Sequence, residues 1–416
     1  MNHPRDGMGC RVMNIKWLFF ILIFSIDQTL AFDNDRTLSF PDFNRENFLD
    51  ITGYQYRKQL DDEWQASDNG FRLAGGSLGQ DVLFSILDFK YRTHLNQFTE
   101  FRLTSQQQAF YTVKPEYHQV EIGVRPKKWL YFSFLGSPTY DKRSSDMGTA
   151  LEIGSRPKNY LRFAYVRHDV FFNDKNSLDD GIYQQIPIER QLEMVTLFND
   201  AIKVKLYLIE DDYFSQFLPT DLLGNQGEFN HKGDSGRLEM DYYFGEESLI
   251  GFKISGFNFN KALLTGSSQR RQRFNYVSVS SFFIFPGFEP YGESEYTLGM
   301  RYDQLNYDTQ DLLDESVSVA RYFDTSQMYA IALVPHRPWL NLEYALHLGH
   351  ASLQSDFINQ AEGSIKDEGI ETKFRFSMEL ISDDKNRRLM FSSNWNLDDL
   401  QRQFWDGGHI SFQGRF

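Results

Sequence analysis

Cysteine is nearly absent: Cys10 is the only one in 416 residues. That excludes a disulfide framework and any metal or cluster site built from several thiolates. Proline is scarce, at 12 residues, which excludes long proline-rich linkers. No long apolar run exists. The best, from Trp17 to Phe24, spans about 10 residues with its flanks, where a membrane helix needs roughly 20. Basic charge is in deficit, with 43 Lys and Arg against 57 Asp and Glu and a formal net charge of −14. No basic nucleic-acid face and no Gly-rich phosphate loop appear.

Aromatics, by contrast, are abundant, with 39 Phe and 22 Tyr. Mean hydropathy is nonetheless negative. A sheet that is apolar only at every second residue reconciles the two. The final stretch shows this pattern plainly: Ile410, Phe412, Gly414 and Phe416 alternate with His409, Ser411, Gln413 and Arg415. At the other end Met1–Gly9 is polar, and a second start lies at Met13. Lys16, the apolar run and Thr29-Leu30-Ala31 then read as a secretory signal peptide cut after Ala31. Cys10 is expected to leave with it.

The closing strand and its terminal Phe resemble the C-terminal signal of bacterial outer-membrane β-barrels, which the barrel-assembly machinery reads. The resemblance implies an all-β, transmembrane, antiparallel up-and-down barrel in the bacterial outer membrane. Its implied partners are the outer-membrane lipid and lipopolysaccharide, and the assembly machinery through Phe416. Residues 1–31 are then the signal peptide with an upstream extension, 32–50 a periplasmic lead-in, and 51–416 the barrel.

A near-repeat supports hairpins. Glu121-Ile-Gly-Val-Arg125-Pro126 leading to Trp129 is echoed by Glu152-Ile-Gly-Ser-Arg156-Pro157 leading to Tyr160, and faintly by Arg337-Pro338-Trp339. Proline cannot donate in a ladder, so each Arg-Pro belongs at a turn. The aromatic that follows is expected in the headgroup girdle. Alternation predicts strands at 52–61, 81–94, 97–107, 116–125, 129–136, 148–155, 159–168, 189–199 and 201–210. Further strands are predicted at 235–244, 248–258, 272–285, 292–304, 315–334, 339–348, 368–381, 387–397 and 407–416. Taking 315–334 as one strand gives about 18, with 16 the alternative, and puts both ends on the periplasmic side. Tight links at 199–200, 245–247 and 382–386 are expected on that side. Long outer connections are expected at 62–80, 169–188, 211–234, 259–271 and 349–367.

The charged parity of these strands is assigned to the pore. The candidate lining is Lys90, Arg92, Glu100, Arg102, Glu121, Arg125, Lys203, Lys205, Arg237, Glu239 and Asp241. It continues with Glu293, Glu295, Arg301, Glu371, Lys373, Arg375 and Glu379. A charge facing lipid costs about 2–4 kcal/mol near the midplane, which fixes the assignment. Strands 189–199 and 272–285 do not divide cleanly. Acidic and basic residues are balanced, unlike the one-sided ladder of a dedicated ion channel. For each charge, a wall ion pair is favoured over contact with a solute.

No nucleophile motif accompanies the histidines. His347 and His350 fall on opposite faces of a strand, which is poor for chelation. No enzyme, metal or cofactor is expected. The function expected is a porin-like channel for passive passage of small hydrophilic solutes. The alternative is a sleeve housing a periplasmic partner, such as a cytochrome or a polysaccharide-export component. A third reading, an adhesin acting through its loops, is disfavoured by how short and plain those loops are.

Overall fold

The computed structural model describes residues 67–77, 83–110, 116–137, 146–156, 158–168, 170, 182–185, 188–199, 201–217 and 228–244. It further describes 248–264, 269–287, 294–311, 319–357, 365–398 and 405–416. The leader, the lead-in and the strand expected at 52–61 lie outside the described residues.

The first strands are β1 (Gly70–Ser77), β2 (Leu83–His94), β3 (Thr99–Phe110), β4 (Glu116–Lys127), β5 (Leu130–Gly136) and β6 (Met147–Ser155). They are followed by β7 (Asn159–Arg167), β8 (Ile182–Gln185), β9 (Ile188–Phe198), β10 (Ile202–Phe217), β11 (Glu228–Phe244) and β12 (Ser248–Leu264). The last are β13 (Gln269–Pro286), β14 (Glu295–Asp311), β15 (Val319–Arg337), β16 (Leu340–Phe357), β17 (Ile365–Ile381), β18 (Arg387–Asn396) and β19 (Trp405–Arg415). All pairings are antiparallel, mostly between consecutive strands. β9 joins β7 to β10, while the short β8 pairs with β10 just beyond β9, extending the same wall strand. The wall therefore has 18 strands. β1 pairs with β2 on one side and with β19 on the other, which closes the ring. Closure leaves no edge strand, as a bilayer requires.

Both ends of the ring lie on one rim, where the Phe416 amide donates to the Asn69 carbonyl at 3.4 Å. The same rim carries the tight turns at 128–129, 338–339 and 382–386, and the turn residues Arg156, Lys158, Asn199 and Ala201. Arg125-Pro126, Arg156 and Arg337-Pro338 are therefore on the rim of the chain ends. Asn199 and Lys385 adopt positive φ there, 48° and 57°, the left-handed geometry of tight turns. In the last turn Ser382 and the Asn386 amide both donate to Asp384 and hold its carboxyl below the usual carboxylate range.

Several boundaries differ from expectation. Residues 70–77, expected within an outer connection, form β1. Gly70, Gly75 and Gly76 dilute its alternation to Phe71 and Leu73 outside against Arg72 and Ala74 inside. The connections expected at 211–234, 259–271 and 349–367 are largely strand, because β10 to β13, β16 and β17 run 16–18 residues. The strand expected at 315–334 is single, as β15, and runs 319–337.

The barrel is consequently uneven. β5 has 7 residues and β15 has 19. At about 3.3 Å per residue and a tilt near 40°, β15 rises about 45 Å, against an apolar band about 25 Å tall. The tall side stands clear of lipid at the rim away from the chain ends. There the polarity of the two faces is exchanged while the facing continues: Asn258, Asn260, Arg271, Arg273 and Asn275 are exposed outside, while Leu305, Tyr307 and Phe323 cluster inside with Tyr276 and Leu353.

Phe416 closes the seam. Its ring lies 6.5 Å from Phe71 and 6.3 Å from Phe89, and Phe71 stacks on Phe412 at 5.1 Å. Phe416→Ala removes two ring contacts and is expected to cost about 1–2 kcal/mol. The temperature at which the folded band is lost on semi-native gels measures it. An unchanged temperature would show the terminal ring to be idle in the folded seam.

Candidate functional site: the inner wall

Two faces separate sharply. Outside, Phe134 is 65% exposed, Met300 60% and Ile370 67%. Inside, Asp88, Glu100, Glu152 and Asp303 are buried completely. On β14, Tyr296 and Tyr302 bracket Leu298 and Met300 on the outer face, as a headgroup girdle brackets the hydrocarbon. A second outer run of stacked rings, Phe244, Phe283, Phe285 and Tyr296, follows the rim of the chain ends at 4.9–5.7 Å spacings.

The inner charges pair with one another. On β2 to β9 they form one continuous network. Glu152 accepts from Arg102 at 3.0 Å, Arg125 at 3.1 Å and Arg156 at 2.8 Å. Glu100 is held by Arg92 at 2.7 Å, Arg102 at 2.5 Å and Arg125 at 3.4 Å. Glu121 takes Arg162 at 3.1 Å and the Ser133 hydroxyl at 2.7 Å. Arg156 reaches on to Glu193 at 2.8 Å, which also accepts from Tyr160 at 2.5 Å. The guanidiniums of Arg102 and Arg125 cover the Tyr131 ring at 4.2 and 4.8 Å, a cation–π contact strengthened by desolvation. Lys90 shares this inner face with Asp88 and Arg92.

Smaller clusters hold the remaining arc. Glu239 gathers Lys205 at 3.0 Å, Arg237 at 3.3 Å and Lys253 at 4.0 Å. Lys203 stands opposite Asp241 in the ladder. Arg301 binds Asp303 at 2.7 Å, and Tyr276 donates to the same carboxylate at 2.8 Å. Arg375 binds Glu343 at 3.0 Å; Lys373 binds Asp406 at 2.8 Å and Glu371 at 3.7 Å. Glu379 accepts from Arg388 at 3.4 Å and Asn341 at 2.9 Å. Glu295 stands on the same parity of β14 as Arg301. Glu293 lies outside the described residues.

The structure adds residues that the alternation alone did not single out: Glu152, Arg156, Arg162, Glu193, Asp303 and Glu343. The near-repeat was the available signal for the first two, since Glu and Arg four apart on a strand share a face. The repeat is not symmetric, however. Its first copy turns over two residues, pairing Lys127 with Leu130, and its second over three, pairing Ser155 with Asn159. From Tyr131 and Arg162 onward the equivalent positions of the two copies face alike, so they differ only at the turn: Trp129 lies within it, and Tyr160 in the strand that follows it. Trp129 is half exposed, as a girdle ring should be, whereas Tyr160 is buried inside beneath Arg156 at 4.2 Å. The expectation that Tyr160 belongs to the girdle is thus corrected.

A closed antiparallel ring, apolar outside and charged inside, defines a transmembrane β-barrel of the bacterial outer-membrane type. No family model and no curated protein sequence matches the chain. Among solved structures it is similar to Acinetobacter baumannii OccAB1, at 9% identity over 84% of this chain and 96% of that one, TM-score 0.40. It is also similar to Pseudomonas aeruginosa OccK2 (OpdF) in complex with glucuronate, at 11% identity over 83% and 97%, TM-score 0.39. A loop-deletion form of Vibrio cholerae OmpT gives 11% identity over 84% and 97%, TM-score 0.35. Likeness at this level says nothing about cargo.

Proposed function

We propose that the barrel is a passive conduit across the outer membrane for small hydrophilic solutes, with the charged inner residues named above lining the path. The observation that carries this reading is the inner wall itself: polar over most of its height, with both signs of charge interleaved. Such a wall admits polar solutes and gives modest ion selectivity. An 18-strand ring is also wide enough to hold water. Lipid and lipopolysaccharide surround it on this reading, and the assembly machinery engages Phe416. A leader ending at Ala31 delivers it. The inner carboxylates and guanidiniums serve as wall, not as catalysts.

Planar-bilayer recording tests the proposal. Folded barrel should carry ohmic current with weak cation–anion preference, falling as larger sugars are added. A correctly folded barrel that carries no current, with or without the residues ahead of β1, contradicts it. The second reading, a sleeve around a periplasmic partner, is favoured by one observation: several inner charges, among them Glu100, Glu152, Asp303 and Glu343, are buried. It expects a second chain to co-purify in mild detergent.

A further inference from the structure

A lumen does not require a polar outer face, yet the tall wall concentrates one beyond the apolar band. In the ladder Leu238, Ile254, Val279 and Tyr302 form one outer row across β11 to β14. Farther from the chain ends comes a row holding Asn258 and Asn275, then one holding Lys232, Asn260 and Arg273, with Arg271 beyond them. All six are exposed. They spread about 10 Å across three strands. At about 3.3 Å per residue and a tilt near 40°, Arg273 and Arg271 stand about 10 and 15 Å above Val277, the last apolar outer residue of β13. Among the described residues Lys232, Arg271 and Arg273 form no ion pair. The carboxylates of this face bind elsewhere: Asp308, opposite Arg273, accepts from Gln310 at 3.3 Å, and Asp324 accepts from Tyr302 at 3.0 Å. Glu210 is held by Arg190 at 3.2 Å. The inner wall is the reverse, with every named arginine turned onto a carboxylate.

We propose that this patch binds the phosphorylated, acidic inner sugars of lipopolysaccharide. Short turns mark the periplasmic rim of such barrels, so the patch stands at the outer leaflet, just beyond the hydrocarbon, where those phosphates lie. Arg271 and Arg273 share one face of β13 with Cα atoms about 7 Å apart. Guanidinium takes phosphate bidentately, so the pair suits one phosphorylated sugar or two adjoining ones. Asparagine amides both donate and accept, as sugar hydroxyls do, and Asn258, Asn260 and Asn275 surround the two arginines on the lipid side. Asp234 on β11 and Asp308 on β14 stand at either flank. They repel an anion there and confine it to the strip between them. The lumen plays no part in this binding, so the proposal stands or falls apart from conduction.

Native mass spectrometry of the full mature chain, folded in detergent and titrated with purified lipopolysaccharide, tests it. Arg271→Gln with Arg273→Gln should weaken binding about tenfold or more, since both charge-assisted contacts to phosphate are lost. Lipopolysaccharide stripped of phosphate should bind the parent as weakly as the intact form binds the variant. Lys158→Gln, exposed on the opposite rim, should bind as the parent does. Phosphatidylglycerol, anionic but without sugars, should bind parent and variant alike and weakly. Equal affinity of parent and double variant, each shown folded by heat-shifted gel mobility, overturns the proposal. So does tight phosphatidylglycerol binding that is lost with the arginines, which would mark a site for any anionic lipid. Where the double variant does not fold, Asn258→Ala with Asn275→Ala replaces it. That variant should weaken binding several-fold, and unchanged affinity would count against the sugar contact.

Discussion

Glu152→Ala is expected to destabilise the folded barrel by about 3–5 kcal/mol, because it strands three guanidiniums at once. Arg102, Arg125 and Arg156 converge on this one buried carboxylate. Their own desolvation is offset only while it carries charge. Arg102 and Arg125 retain Glu100, and Arg156 retains Glu193, so the network frays without dissolving. Glu152→Gln keeps the shape and loses the charge, and should recover part of the loss. Urea midpoints in a fixed lipid composition measure both. A Glu152→Ala barrel as stable as the parent would mean that the network is decoration on a wall held by its backbone ladder.

Met300→Arg is expected to cost about 2–4 kcal/mol, the penalty for a cation near the bilayer midplane. The adjacent position holds Arg301, buried inside against Asp303. A shift of one residue along the same strand thus separates a tolerated arginine from a costly one. Equal stability of Met300→Arg and the parent would place Met300 away from lipid, and the facing of β14 would have to be reversed.

The pattern in the chain predicted its fold where the bilayer imposes it and misled where the bilayer ends. Within the apolar band each outer position must be greasy, so Ile122 and Val124, Leu298 and Met300, and Ile410 and Phe412 announced their strands. Above the band the outer face meets water. There Asn260 and Arg271 face out, so 259–264 and 269–271 read as part of a loop although the ladder continues through them. β1 was obscured for a different reason, since three glycines supply no side chain to alternate. The inner wall was legible as charge on one parity, down to Glu100, Arg102, Glu239 and Arg375. Its pairing was not, because partners such as Arg102 and Glu152 lie 50 residues apart. Tyr160 shows the limit most clearly: its ring falls in the strand where its counterpart Trp129 falls in the turn, and only the end of the turn decides which.

The central claim is that facing alternates with period two around a closed wall. Because Cys10 is the only cysteine, single cysteines can be placed at each position from Leu161 to Val166 in a background free of other thiols. Each is then labelled with a fluorophore in vesicles containing lipid-attached quencher. Labels at 161, 163 and 165 should be strongly quenched and those at 162, 164 and 166 spared. Uniform quenching, or quenching that follows a helical period, would contradict the barrel outright.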